Sequence, residues 1–206
     1  MSLQVITVAM TTGAQAPQVA RLVAQQLGYQ YVNDEIIDRA AAHAGVSRGE
    51  VEEVERSPSL LGRIMTALAS GGVGAYGASV APDALDASPS YRRLIQEVIR
   101  ETAAQGRVVI LAHGASILLA GAPGLLRVLV TASPATRARR LAAERGRDER
   151  WAAREIERAD GERRSFFKRF HDLGEELSTD YDLVINTDVL SPEEAARVIA
   201  GAAGKA

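Results

Sequence analysis

The chain has 206 residues, 47% of them hydrophobic and 24% charged, with a formal charge of -2 and no cysteine. That length suits a single domain, 1–206, with a substantial core, and the near-neutral balance excludes a wholesale polyanion binder, which relies on a net basic surface. Lacking thiols, it also excludes a disulfide scaffold, a thiolate zinc site and a cysteine nucleophile.

The N-terminal MSLQVITVAMTTG carries no basic region or small-residue cleavage pattern, and no run approaches the ~20 apolar residues of a membrane helix. A soluble, cytoplasmic protein with no membrane or nucleic-acid polymer partner is expected. Val5 to Val8 is a β-branched run ending at Thr11-Thr12-Gly13, and Pro17 opens a helical pattern that Gly28 closes. Val19, Leu22, Val23 and Leu27 share one face of that helix. Further helices are expected over 34–44, from Ser47, where Glu50 completes a capping box, and over 60–69. Glycine is too dense from Gly71 to Gly77 for a regular element, so 57–90 is expected to be a mobile region, read either as a flap or as a surface excursion.

Downstream, a long helix is predicted from Pro89 to Gln105, a buried strand over Val108 to Ala112, and another strand over Arg127 to Thr131. Pro134 opens a helix ending near Gly146, and Asp148 starts a longer one to about Phe170. Leu183 to Asn186 supplies the last strand, and Ser191-Pro-Glu-Glu caps the final helix. Strands alternating with helix-length crossovers imply a parallel sheet covered on both faces, a three-layer α/β/α class. Ligands of such sheets bind at the carboxyl ends of the strands, so the segments after Val8, Ala112, Thr131 and Asn186 are the ones to examine. The first, a strand, a short glycine-bearing loop and a helix start, is where backbone amides and a helix dipole suit phosphate.

The order VITVAMTTGAQAPQVARLVAQQLGY, YVNDEII, VVILAHGAS, ERADGERRSFFKRF and DLVINTDVLSPEEAARVI resembles the cytidylate kinase-like branch of the P-loop nucleoside monophosphate kinases. The resemblance covers about residues 4 to 200. It implies ATP with Mg²⁺, a nucleoside monophosphate acceptor (CMP or dCMP) and phosphate contacts at Thr11, Thr12, Gly13, Ala14, Gln15 and Ala16. The family's first loop is typically G-S-G-G, and this chain keeps only the first glycine. Gln15 and Ala16 bring Cβ atoms, Ala14 lacks a hydroxyl, Pro17 lacks an amide donor, and no lysine stands in the loop. Asn33 aligns with a family aspartate that organises the acceptor, with Asp34 and Glu35 beside it. His113 stands where an arginine usually meets phosphate.

The family's lid arginines correspond to the region 145–170. There the resemblance assigns Arg147, Arg154 and Arg163 to neutralising the transferring phosphoryl group, with Asp160-x-x-Arg163 as the matching motif. The plainer account of these arginines is a solvated helix laced with i,i+4 pairs to Glu144, Glu149, Glu155, Glu157 and Glu162. Phe166, Phe167 and Phe170 fall on one stripe and are expected in the core. With His43, His113 and His171 far apart in sequence, no metal-ligand spacing exists. Three functions stay open at this point: an ATP-dependent nucleoside monophosphate kinase, a pseudokinase that binds a nucleotide or a protein, and a structural homodimer subunit associating through 47–105.

Overall fold

The computed structural model describes residues 3–33, 89–111, 114–171, 173–174 and 176–204. Its elements run β1 (Val5–Met10), α1 (Ala16–Leu27), β2 (Gln30–Asn33), α2 (Pro89–Gln105), β3 (Val108–Leu111), α3 (Ala115–Leu118), β4 (Leu125–Thr131), α4 (Pro134–Arg145), α5 (Glu149–His171), a 3-10 turn (Ser178–Asp180), β5 (Leu183–Asn186) and α6 (Pro192–Ala203). The bounds of α2 and β5 are those the sequence predicts, and the helix expected from Pro17 starts one residue earlier. The helices expected over 34–44, from Ser47 and over 60–69, and the region 57–90 up to residue 88, lie outside the described residues.

Residue contacts divide the chain into two units, Met1–Tyr31 with Arg107–Ala206, and Val32–Gly106. In the second, α2 buries Ile95, Val98 and Ile99 at helical spacing, and the Thr102 hydroxyl donates to the Val98 carbonyl at 2.6 Å. The first carries the sheet and its cover.

The strands are ordered β2-β3-β1-β4-β5. β1 lies parallel to β3, with Val5 opposite Val108, and to β4, with Val5 opposite Leu125; β4 lies parallel to β5, with Val128 opposite Leu183. The chain leaves β1 for β2, returns to β3 and then crosses β1 to reach β4. That reversal places a topological switch point at the carboxyl ends of β1 and β4. The fold is a three-layer α/β/α architecture of the P-loop kinase type.

Central position explains β1: Ile6, Val8, Val109, Val128, Val130 and Ile185 from the strands pack with Val19 and Val23 of α1 and with Ala196 and Ile199 of α6. Each fully buried valine or isoleucine contributes about 1.5–3 kcal/mol through the water it leaves. Helix ends are fixed locally. Gly28 closes α1 by donating to the carbonyls of Ala24 and Gln25, Ser133 accepts from the Thr136 amide at the start of α4, and Ser191 with Glu194 forms a reciprocal capping box on α6. A cap of that kind is worth ~1 kcal/mol.

Candidate functional site

The loop between β1 and α1 has a definite backbone form. Gly13 has φ 83° and Gln15 φ 63°, with Ala14 between them on the ordinary side. Alternation of hand over successive residues is the geometry that gathers amide N–H groups into an anion-binding concavity. Gln15 holds this left-handed conformation at a cost of ~1 kcal/mol or more that glycine would not incur. It is also the N-cap of α1 and makes no side-chain cap, so the helix's first amides are not covered from within.

The Ala14 amide donates to the Thr11 carbonyl at 3.1 Å, and those of Gln18 and Val19 donate to the Gln15 carbonyl. Among the described residues, the amides of Thr12, Gly13, Gln15 and Ala16 have no hydrogen-bond acceptor. Gly13 is also a packing residue: a Cβ there would sit 2.8 Å from the Arg137 carbonyl oxygen and 3.0 Å from its Cα. The first turn of α4 therefore lies directly against the loop.

Three threonines tie the strand ends beneath it. The Thr11 and Thr131 hydroxyls are 3.2 Å apart at the ends of β1 and β4. Fully buried Thr187, just past β5, directs its hydroxyl to the Ala14 carbonyl at 3.0 Å and the Thr131 carbonyl at 3.1 Å. Arg140 donates to that hydroxyl at 3.0 Å and to the Thr187 carbonyl at 2.5 Å. Asp188 accepts from the Ser133 amide and hydroxyl, both at 2.9 Å, and the Ser133 amide holds its carboxyl below the usual range. Loop, strand ends and α4 are thus one connected unit.

From α4 the connection passes to α5. Arg137 is 4% exposed and grips Asp160 with both terminal nitrogens, at 2.9 and 2.6 Å, while its buried Nε has no acceptor. One turn on, Arg163 makes a fork with Glu176, Nε to Oε2 at 2.8 Å and Nη2 to Oε1 at 2.6 Å, and lies over the Phe167 ring, 4.5 Å from its centre. The Tyr181 hydroxyl donates to Glu176. Burial first, then that carboxylate, pushes the phenol well above its ordinary value, so it stays a donor. A cavity of about 660 Å³ opens between α4 and α5, with Arg137, Arg150, Arg164, Asp160 and Ile156 among its lining residues.

The residues singled out from sequence are distributed as follows. Thr11, Thr12, Gly13, Ala14, Gln15 and Ala16 form the loop. Asp160 and Arg163 sit one turn apart on α5 and take different partners. Arg147 stacks over Trp151 at 5.3 Å, and Arg154 is exposed on α5. Asn33 ends β2 in the other unit, and Asp34, Glu35 and His113 lie outside the described residues. The helix-pair account holds for Arg158, which pairs with Glu155 at i,i+3 and with Glu162 at i,i+4; Phe167 is buried against Phe166.

Arg137, Arg140, Glu176, Thr187 and Asp188 were not singled out from sequence. For Arg137, Arg140, Thr187 and Asp188, positions after Thr131 and Asn186 were the only signal, because their partners lie 23 or more positions away; Glu176, in the polar stretch before β5, carried none. For ATP and Mg²⁺, the loop offers amides and the hydroxyls of Thr11 and Thr12. Among the described residues no group of three or more acidic or histidine side chains could hold a metal. Since Mg²⁺ commonly needs one or two carboxylates plus the phosphates, these donors suit phosphate oxygens, and a metal would arrive with them. No helix of the described residues is long and apolar enough to cross a membrane.

A family model described as the cytidylate kinase-like family matches residues 5–189. Among solved structures, an uncharacterized protein from Eubacterium ventriosum ATCC 27560 superposes with a TM-score of 0.66 at 15% identity, over 98% of this chain and 99% of that one. Shikimate kinase from Bacteroides thetaiotaomicron gives 0.52 at 15% identity, over 97% of each chain. At such identities these two speak for the fold. No curated protein sequence matches.

Proposed function

The chain belongs to the cytidylate kinase-like family, and from that premise we propose that it transfers a phosphoryl group from ATP to a nucleoside monophosphate, CMP or dCMP. The observation that carries this is the loop: Gly13 and Gln15 at positive φ, with uncapped amides, at the switch point of a kinase-type sheet. The loop is a degenerate phosphate loop in its side chains, while its backbone keeps the hand that cradles phosphate.

In this reading the amides of Thr12, Gly13, Gln15 and Ala16 hold the donor phosphates, in a loop that Thr11 and Ala14 complete. Asn33, Asp34, Glu35 and His113 attend the acceptor, and Arg147, Arg154 and Arg163 offset the charge on the transferring group, with Asp160 fixing the arginine helix. Phosphoryl transfer depends on positioning and electrostatics more than on covalent chemistry, and an arginine placed on the transferring group is worth roughly 10³-fold or more in rate. Measuring transfer from ATP to a panel of nucleoside monophosphates at millimolar substrate tests it. Turnover that Arg163→Ala abolishes supports the proposal, and turnover no greater than that variant's rules it out.

A second reading, a pseudokinase that binds a nucleotide or a protein without transfer, draws on two observations. Gly13 spends its missing side chain on contact with Arg137, and the loop holds no lysine or arginine. ATP binding without turnover is its signature.

A further inference from the structure

We propose that Glu176 and Phe167 are positioning residues that fix which edge of Arg163 meets an anionic phosphate ligand. The inference rests on the reading of Arg163 as phosphate-facing.

A guanidinium carries five N–H donors in one plane. Nε and one N–H of Nη2 are taken by the Glu176 fork, which sets the group's rotation within its plane. The Phe167 face, itself only 4% exposed, sets the plane's tilt. Nη2 also donates to the Tyr181 hydroxyl at 3.5 Å, which leaves the two N–H groups of Nη1. Nη1 has no hydrogen-bond partner among the described residues. That Nη1 end, with two charge-assisted N–H donors, is the edge offered to phosphate oxygens.

Glu176 comes from outside the helix, in the segment between α5 and the Ser178–Asp180 turn, and is itself held by the Tyr181 hydroxyl. The contrast with Arg158 is instructive. Its pairs lie on the exposed face of the same helix, where such contacts are weak and leave a long side chain free to swing. Arg163 and Glu176 are only 25% and 17% exposed, so their fork survives salt better and costs no reorganisation when an anion arrives. The carboxylate offsets the arginine's charge, so what it supplies is direction rather than field.

The test is nitrogen-15 NMR of arginine side chains in the full chain, with inorganic pyrophosphate as the anion. The expected result is hindered Nη rotation at Arg163 that pyrophosphate shifts. Glu176→Gln should free that rotation and weaken pyrophosphate at least tenfold, and Arg163→Lys should lose as much as Arg163→Ala. Tyr181→Phe, which removes the hydroxyl that holds Glu176 and accepts from Arg163 Nη2, should weaken it about threefold and serves if Glu176→Gln is poorly folded. Unchanged or tighter pyrophosphate binding in the Glu176 or Tyr181 variants, or Arg163 signals that pyrophosphate does not move, overturns the inference. Parallel titrations with ATP and CMP separate the two ideas: pyrophosphate binding with the expected pattern but no nucleotide binding sustains the positioning role and removes the kinase reading.

Discussion

Substituting alanine for Gly13 probes the joint between loop and α4. The new Cβ would lie 2.8 Å from the Arg137 carbonyl oxygen and 3.0 Å from its Cα, and both are backbone atoms in a helix that cannot swing aside. A left-handed conformation costs an L residue about 1–2 kcal/mol, and forcing an extra methyl into a packed site adds about 1–3 kcal/mol. In a chain of this size each kcal/mol lowers Tm by about 2–4 °C, so the combined cost of about 2–5 kcal/mol gives a loss of roughly 4–20 °C. Gly121 supplies the control, because it has the same φ of 83° and nothing within 4 Å of the added carbon. Gly121→Ala should incur the backbone cost alone, roughly 2–8 °C. Thermal melts by circular dichroism, with urea unfolding for the free energies, compare the pair. Equal losses in both variants would refute the close packing of the loop on α4.

Asp160→Asn should destabilise by about 3–5 kcal/mol, since it leaves the buried Arg137 guanidinium uncompensated. Arg137→Met should cost less, because the carboxylate left behind is 28% exposed and water can reach it; urea midpoints that rank them the other way contradict this. Thr187→Val should cost about 1–3 kcal/mol through polar groups left unpaired and should speed amide exchange across Ala14 to Ala16, whereas unchanged exchange there would detach Thr187 from the loop. Burial holds the His171 ring, packed among Phe166, Phe167 and Gly114, below its ordinary value of 6.5. The unfolded chain then binds the proton first, so this contribution is present above pH 6.5 and is lost as pH falls from there towards the folded value. Melting curves of His171→Gln should lack that part of the acid slope, and superimposable slopes would exclude it.

Much of the fold was legible because each element carries its own local signal. β-branched runs marked β1, β3 and β5, Ser191 with Glu194 marked the start of α6, and Gly28 and Gly146 marked helix ends. The site was legible in position but not in connection. That Gly13 borders a phosphate-type loop follows from a strand, a glycine and a helix start in sequence. That its other side is filled by Arg137 depends on a contact between residues more than a hundred positions apart. Gln15 shows the same limit from the other side: glutamine argues against a left-handed backbone, and the loop nevertheless holds one. Among the arginines of α5 the sequence sets Arg163 apart by the Asp160-x-x-Arg163 motif but does not show its partner. The fold adds that Arg158 pairs along its own helix, whereas Glu176, the partner of Arg163, lies beyond the helix end.

Whether this loop holds nucleotide phosphate is decided most directly by isothermal titration of the full chain with ATP, with and without Mg²⁺. The proposed function predicts saturable binding to one site, strengthened by Mg²⁺ and weakened in Arg163→Ala. A folded protein that takes up no ATP at millimolar concentration, with Mg²⁺ present, would contradict it.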